Sequence, residues 1–260
     1  MNRGMWMGVA VLFIGVALQI NVRWRAPDTP SVESAEPLDG LVETTTLPAN
    51  WPQVLETLEP PSDRKTVDQL LRLTERFDDH EVGQQVLRTL ERLGGSAGTR
   101  ALYHLGNARP ELTSEAATRL SRVRDREAAP ALLEIVRASD TPVEFVAAAL
   151  RSLGHTRLRH TVNEIASLAA DRDRDKRTRV AATDALGWIA DPRALPTLIA
   201  LLESPTGAIR RRAIRSVGRI RAPEALEALE TLVNSTPHDN ERNLATDALA
   251  RLRGEPVFRD

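Results

Sequence analysis

In a chain without cysteine, side-chain chemistry would have to come from histidines, carboxylates and hydroxyls. Thiol catalysis, disulfides and Cys-ligated zinc are excluded outright. His104, Glu134, His160 and Glu164 fall where adjacent helices could bring them together, and two histidines with two carboxylates can bind zinc. The plainer reading, adopted here, is a solvated helical face with no metal. No His-Glu-x-x-His, glycine-rich phosphate loop or Gly-x-Ser-x-Gly occurs. The run from Asp171 to Arg179 alternates acids and bases, with arginines where a calcium loop needs ligands, and reads as a solvated turn. No catalytic residue, cofactor or small-molecule substrate is expected. A metal-dependent or lyase-type enzyme is the alternative.

Two features suit binding rather than catalysis. Between Gly207 and Ala222 stand six arginines and no acid, and Arg211, Arg215 and Arg219 share one helical face at i, i+4 and i+8. Such a stripe could meet an acidic partner, since the planar guanidinium suits interfaces; the competing reading is a solvated outer face, with Arg210 paired to a neighbouring Asp. Trp188 is the second feature. Its repeat equivalents Arg122, His155, Arg219 and Arg251 are polar, so its register implies exposure and an interface anchor. The alternative is a ring folded over the neighbouring helix. A nucleic-acid binder using the stripe is a third class of function. A net charge of −1, from 35 basic and 36 acidic residues, supplies no global field for it, and no nucleic acid is expected.

Helices must position these residues. Aromatics make up 3% of the chain, with alanine and leucine prominent, the palette of packed helices. Phe145–Gly154, Thr178–Gly187 and Ile209–Gly218 align with one another, so that Ala149, Ala182 and Ala213 coincide, as do Leu153, Leu186 and Val217. The same frame fits Leu112–Ser121 and Glu241–Ala250, and its end positions lie 33, 33, 31 and 32 residues apart. Each unit reads as an Ala-x-x-x-Leu-Gly helix, a short turn and a Leu-rich helix. The turn is clearest at Asp191-Pro192, where the carboxylate suits an N-cap and the proline the first helical position. Leu195, Leu198, Leu201 and Leu202 then recur at helical spacing. Short helix pairs cannot bury their apolar faces alone, so neighbouring units must stack. An all-α, right-handed solenoid of about six two-helix repeats is expected over residues 51–260.

The Ala-Leu-Gly helix, the turn Asp191-Pro192-Arg193-Ala194-Leu195-Pro196 and the Leu-rich helix resemble HEAT-like repeats of the phycobilisome-lyase type. The resemblance spans roughly residues 80–254. It implies the solenoid fold and, for most members, protein binding by a non-catalytic scaffold. One enzymatic branch, similar to deoxyhypusine hydroxylase, holds two irons with several His-Glu pairs; only His80-Glu81 occurs here, which cannot supply that set. The resemblance also implies that the second, Leu-rich helices line the concave face. Their non-core positions would include Glu127, Ala131, Glu134, Arg137, His160, Thr161, Glu164 and Ser167. Partner binding is therefore expected at Trp188, Arg211, Arg215, Arg219, Glu134, Glu164 and His160.

Ahead of the repeats, Gly4 to Val22 is nineteen residues without a charge, bracketed by Trp6 and Trp24. That is about the length of a bilayer-spanning helix with aromatic ends. A signal-anchor within residues 1–25 is the favoured reading. A cleaved signal peptide with a site near Ala17, releasing a secreted protein, and a buried soluble helix are the others. Residues 26–50, with four prolines and five acids, read as a disordered spacer. The expectation is a single-pass membrane scaffold that holds a protein partner through its repeats, on the extracytoplasmic (periplasmic) side.

Overall fold

The computed structural model describes residues 38–60 and 63–255. The membrane-anchor reading of residues 4–22 lies outside them, and among the described residues no helix is long and apolar enough to cross a membrane. The described residues are helical, with no strand. The helices are α1 (Asp39–Glu43), α2 (Trp51–Glu56), α3 (Arg64–Arg76), α4 (His80–Leu93), α5 (Gly95–Ala108), α6 (Thr113–Leu120) and α7 (Ala129–Arg137). They continue as α8 (Val143–Thr156), α9 (Val162–Ala170), α10 (Lys176–Ile189), α11 (Leu195–Leu202), α12 (Gly207–Ile220), α13 (Leu226–Ser235) and α14 (Asp239–Arg253).

Of the stretch read as a spacer, residues 26–37 lie outside the description, but the part from Leu38 on is packed. Leu38 and Leu41 are buried in the core and Asp39 accepts a hydrogen bond from Gln69 on α3. The acidic composition concealed two leucines spaced one helical turn apart, enough to fasten α1 to α3.

Repetition is visible in the turns as well as the helices. Asp191 caps the 3-10 turn Pro192–Ala194 by accepting from the Arg193 amide at 3.0 Å, and Asp125 does the same for Glu127 at 2.9 Å. Arg157, Ala190 and Arg221, each three residues after Gly154, Gly187 and Gly218, end their helices in the left-handed region at φ 54–55°. A non-glycine residue there costs on the order of 1 kcal/mol. Its recurrence at one repeat position shows that the same helix exit is needed each time.

The helix partnering differs in phase from the sequence reading. Each Ala-Gly helix packs antiparallel against the Leu-rich helix before it, giving the pairs α3–α4, α5–α6, α7–α8, α9–α10, α11–α12 and α13–α14. The Asp-Pro turn therefore joins one pair to the next. The six pairs stack as two layers around a continuous core that includes Phe145, Leu153, Leu186 and Leu198, all fully buried.

The layers are spaced differently. In the Ala-Gly layer α8, α10, α12 and α14 touch through their backbones. A Cβ added at Gly154 would lie 2.9 Å from the Ala185 Cα, and one at Gly218 3.2 Å from the Ala248 Cα. Ser152 and Ser216 hydrogen-bond across this seam to the carbonyls of Leu120 and Thr183. Leucine side chains hold the other layer apart. The Ala-Gly helices are therefore the more closely spaced layer.

Candidate binding surface

The placement of small residues that draws the Ala-Gly helices together also leaves an open groove along their solvent-facing surfaces. It has a volume of about 940 Å³ and crosses α6, α8, α10 and α12. Thr113, Ala117 and Thr118 form one end, Ala147, Val180 and Ala181 the middle, and Ala208 and Arg212 the other end. Charged heads stand among these small side chains. Glu144 pairs with Arg177 at 2.8 Å, and Asp184 with Arg212 at 3.1 Å. Arg151 and Lys176 are exposed in the groove and have no acidic side chain within 4 Å among the described residues.

Asp184 is the electrostatic centre of this face. Its carboxyl is nearly buried, and loss of water pushes its pKa up, while Arg212, Arg219 and Arg215 pull the other way. Arg219 lies over the Trp188 ring, 5.7 Å from its centroid. Desolvation makes its guanidinium less basic than usual; Asp184 opposes that shift, and Arg215, Arg251 and Arg212 add repulsion.

Trp188 is not the exposed anchor its register implied. His155 stacks on its other side, with centroids 4.3 Å apart and planes 17° from parallel. The ring is half-buried between its equivalents from the preceding and following repeats. A polar register position became a stacking position because Gly154 leaves room beside it: a Cβ at Gly154 would lie 2.8 Å from the indole.

His155 carries a pH prediction. Desolvation lowers its pKa, and the charges of Arg124 and Arg157 lower it further. The unfolded chain takes up the proton near the ordinary value of 6.5, where the folded chain resists it. Stability present above that pH is therefore lost as the pH falls below it. The melting temperature of the parent should drop more steeply between about pH 7 and 5 than that of His155→Gln. Parallel melting curves across that range would refute the assignment.

The expected partner-binding residues separate onto two faces. Arg211, Arg215 and Arg219 belong with Trp188 on the Ala-Gly face. Arg211 approaches Glu241 at 3.8 Å, and Arg210 pairs with Glu241, not with an Asp, through two 3.0 Å hydrogen bonds. Glu134, Glu164 and His160 lie on the Leu-rich face. His160 and Glu134 line a smaller cleft of about 390 Å³ with Leu133 and Arg137. Arg100 grips Glu134 at 2.5 and 2.7 Å and holds its pKa down, and Arg137 grips Glu164 at 2.7 Å through both oxygens. These carboxylates are committed to a cross-repeat ladder. Among the described residues no three His, Asp or Glu side chains converge as metal ligands. Ala131 and Thr161, expected to line this face, are buried instead.

Arg151 and Asp184 were not among the residues the sequence singled out. The signal was available: three residues before each glycine position stand Thr118, Arg151, Asp184, Arg215 and Asp247, a row of polar and charged residues on helices otherwise rich in alanine.

A family model described as HEAT repeats matches residues 137–212 and again 162–250. No curated protein matches the chain. Among solved structures, an engineered protein is similar at 20% identity and a TM-score of 0.46, over 73% of this chain and 97% of that one. A computationally designed armadillo repeat protein for modular peptide recognition is similar at 18% identity and a TM-score of 0.44, over 72% and 98%. Human deoxyhypusine hydroxylase in complex with glycerol follows at 17% identity and a TM-score of 0.33, over 84% and 96%. The family match covers residues 137–250, and the described residues as a whole stack as helix pairs in an all-α repeat solenoid.

Proposed function

We propose that this chain is a non-catalytic scaffold that holds a segment of a protein partner in the groove of its Ala-Gly face, tethered to a membrane through residues 4–22. The observation that carries the reading is the groove itself. It runs across four successive helices, with small side chains on its floor and charged heads along it. A surface of this kind accommodates a chain laid across the repeats. It does not gather acid, base and nucleophile around one reacting atom. The tether rests on the uncharged nineteen-residue run, and its extracytoplasmic orientation on the acidic segment that follows.

Photo-reactive residues at Ser114 and Thr118, both exposed in the groove, test the binding face in intact membranes. Ala200 and Thr231, exposed on the Leu-rich layer, serve as controls. A discrete crosslinked protein from the groove positions alone is expected. Crosslinks from the controls alone would overturn the choice of face. The tether predicts that the full chain stays in the membrane pellet after alkaline carbonate extraction; recovery in the supernatant would remove it.

A further inference from the structure

We propose that the groove selects an acidic segment, held extended, whose carboxylates engage Arg151 and Arg215. The proposal rests on the groove being the binding face and adds the chemistry and spacing of what it binds.

The charge on this face is lopsided. Its acids are few, and two of them are taken, Glu144 by Arg177 and Asp184 by Arg212. Asp247 stands at the far end, on α14. Against them stand Arg151, Lys176, Arg211, Arg215 and Arg219. Some of these cations have work inside the fold. Arg219 sits in the last turn of α12, where a positive charge complements the helix dipole, and covers Trp188. Arg211 leans toward Glu241.

Arg151 and Arg215 are less committed, although Arg215 adds to the positive field around Asp184. Both lie mid-helix, beyond the reach of the terminal dipole. Neither has an acid three or four residues away on its own helix: Arg151 is flanked by Ala147, Ala148, Gly154 and His155, and Arg215 by Arg211, Arg212, Gly218 and Arg219. Neither forms an ion pair within 4 Å among the described residues. Arg151 is exposed and Arg215 half-exposed. Arg151 lines the groove, and Arg215 stands beside its α12 end, one turn on from the lining Arg212. The two occupy the same repeat position on α8 and α12, with Asp184 between them on α10.

Their spacing sets the ligand. Adjacent packed helices lie about 8–10 Å apart, so two steps separate the guanidinium rows by about 16–20 Å. An extended chain rises about 3.3 Å per residue and alternates its side chains between two faces, so the two carboxylates should stand about six residues apart, on the same face. Between them the chain passes Asp184, which disfavours a further acid at the midpoint. Small side chains there suit the floor of Ala147, Val180 and Ala181.

The test uses the full chain in detergent and fluorescein-labelled Gly/Ser/Ala peptides carrying two glutamates, read by anisotropy. Peptides with the glutamates about six apart should bind more tightly than those with the glutamates about two apart, about five apart or replaced by lysines, and salt should weaken the binding. Arg151→Gln and Arg215→Gln should each weaken it by up to about fivefold, the upper end for exposed charge pairs. Arg126→Gln, on the Leu-rich face, should leave it unchanged. Equal binding at all spacings, or no response to either arginine variant, would overturn the proposal. So would tighter binding of a single-stranded oligonucleotide than of any peptide, lost in the same variants. The binding-face reading fails separately: groove crosslinks that persist unchanged in Arg151→Gln/Arg215→Gln would retain the groove and discard the acidic ligand.

Discussion

Replacing Glu241 with alanine should destabilise the C-terminal repeats by about 3–5 kcal/mol, the cost of stranding one member of a buried ion pair. The Glu241 side chain is only 3% exposed and that of Arg210 is 19% exposed. One carboxylate takes both 3.0 Å bonds from Arg210, a 3.4 Å bond from the Thr236 hydroxyl, and the approach of Arg211. Glu241 also stands in the first turn of α14, where a negative charge is favourable. Arg210 reaches on to the Ser204 carbonyl at 2.7 Å, so the cluster joins the α11–α12 turn to α14. Because stacked repeats contact only their neighbours, the loss should be local. Hydrogen exchange should quicken in α12–α14 and stay unchanged in α4–α6. Urea unfolding measures the magnitude, and a loss under 1 kcal/mol would show that the pair is not buried in solution. The double variant Arg210→Met/Glu241→Leu should recover most of the loss, since apolar replacements leave no stranded charge.

Gly187→Ala is expected to cost about 1–3 kcal/mol or more, despite adding a single methyl group to a helix that favours alanine. The added Cβ would lie 2.7 Å from the Ser216 Cα and 2.6 Å from its Cβ. The obstacle is backbone, so no rotamer change relieves it, and α12 must move away from α10. That movement would also stretch the Ser216–Thr183 hydrogen bond that crosses the seam. Gly40→Ala is the matched control, because a Cβ there meets nothing within 4 Å. It should be neutral or stabilising by up to about 1 kcal/mol. Equal melting temperatures for Gly187→Ala and the parent would show that the two helices do not touch as described.

The two variants probe different parts of what the chain encodes. Gly187 was legible as a repeat mark, because the Ala-x-x-x-Leu-Gly helix recurs and only a repeated packing need explains its recurrence. Glu241 was not legible as a partner of Arg210. The two are 31 residues apart, and their pairing depends on how far α14 is offset against α12. The expected pairing to an Asp was right in sign and wrong in residue. Trp188 shows the same limit: its register position was correct, but the neighbouring helix, brought close by Gly154, turned an outward position into a stack with His155 and Arg219.

By itself, the sequence determined the helices, the cap at Asp191, the repeat length and the existence of a stacked apolar core. These follow from spacings within one or two turns and from the inability of a short helix pair to bury its own face. The tertiary structure decided which helices pair, which layer is drawn tight and where the open groove runs. Those outcomes depend on side-chain size summed across neighbouring repeats, and no single repeat contains that information. The expected site residues, split between the two layers, share no single surface, and the groove lies on the Ala-Gly layer that carries Trp188 and the arginine stripe.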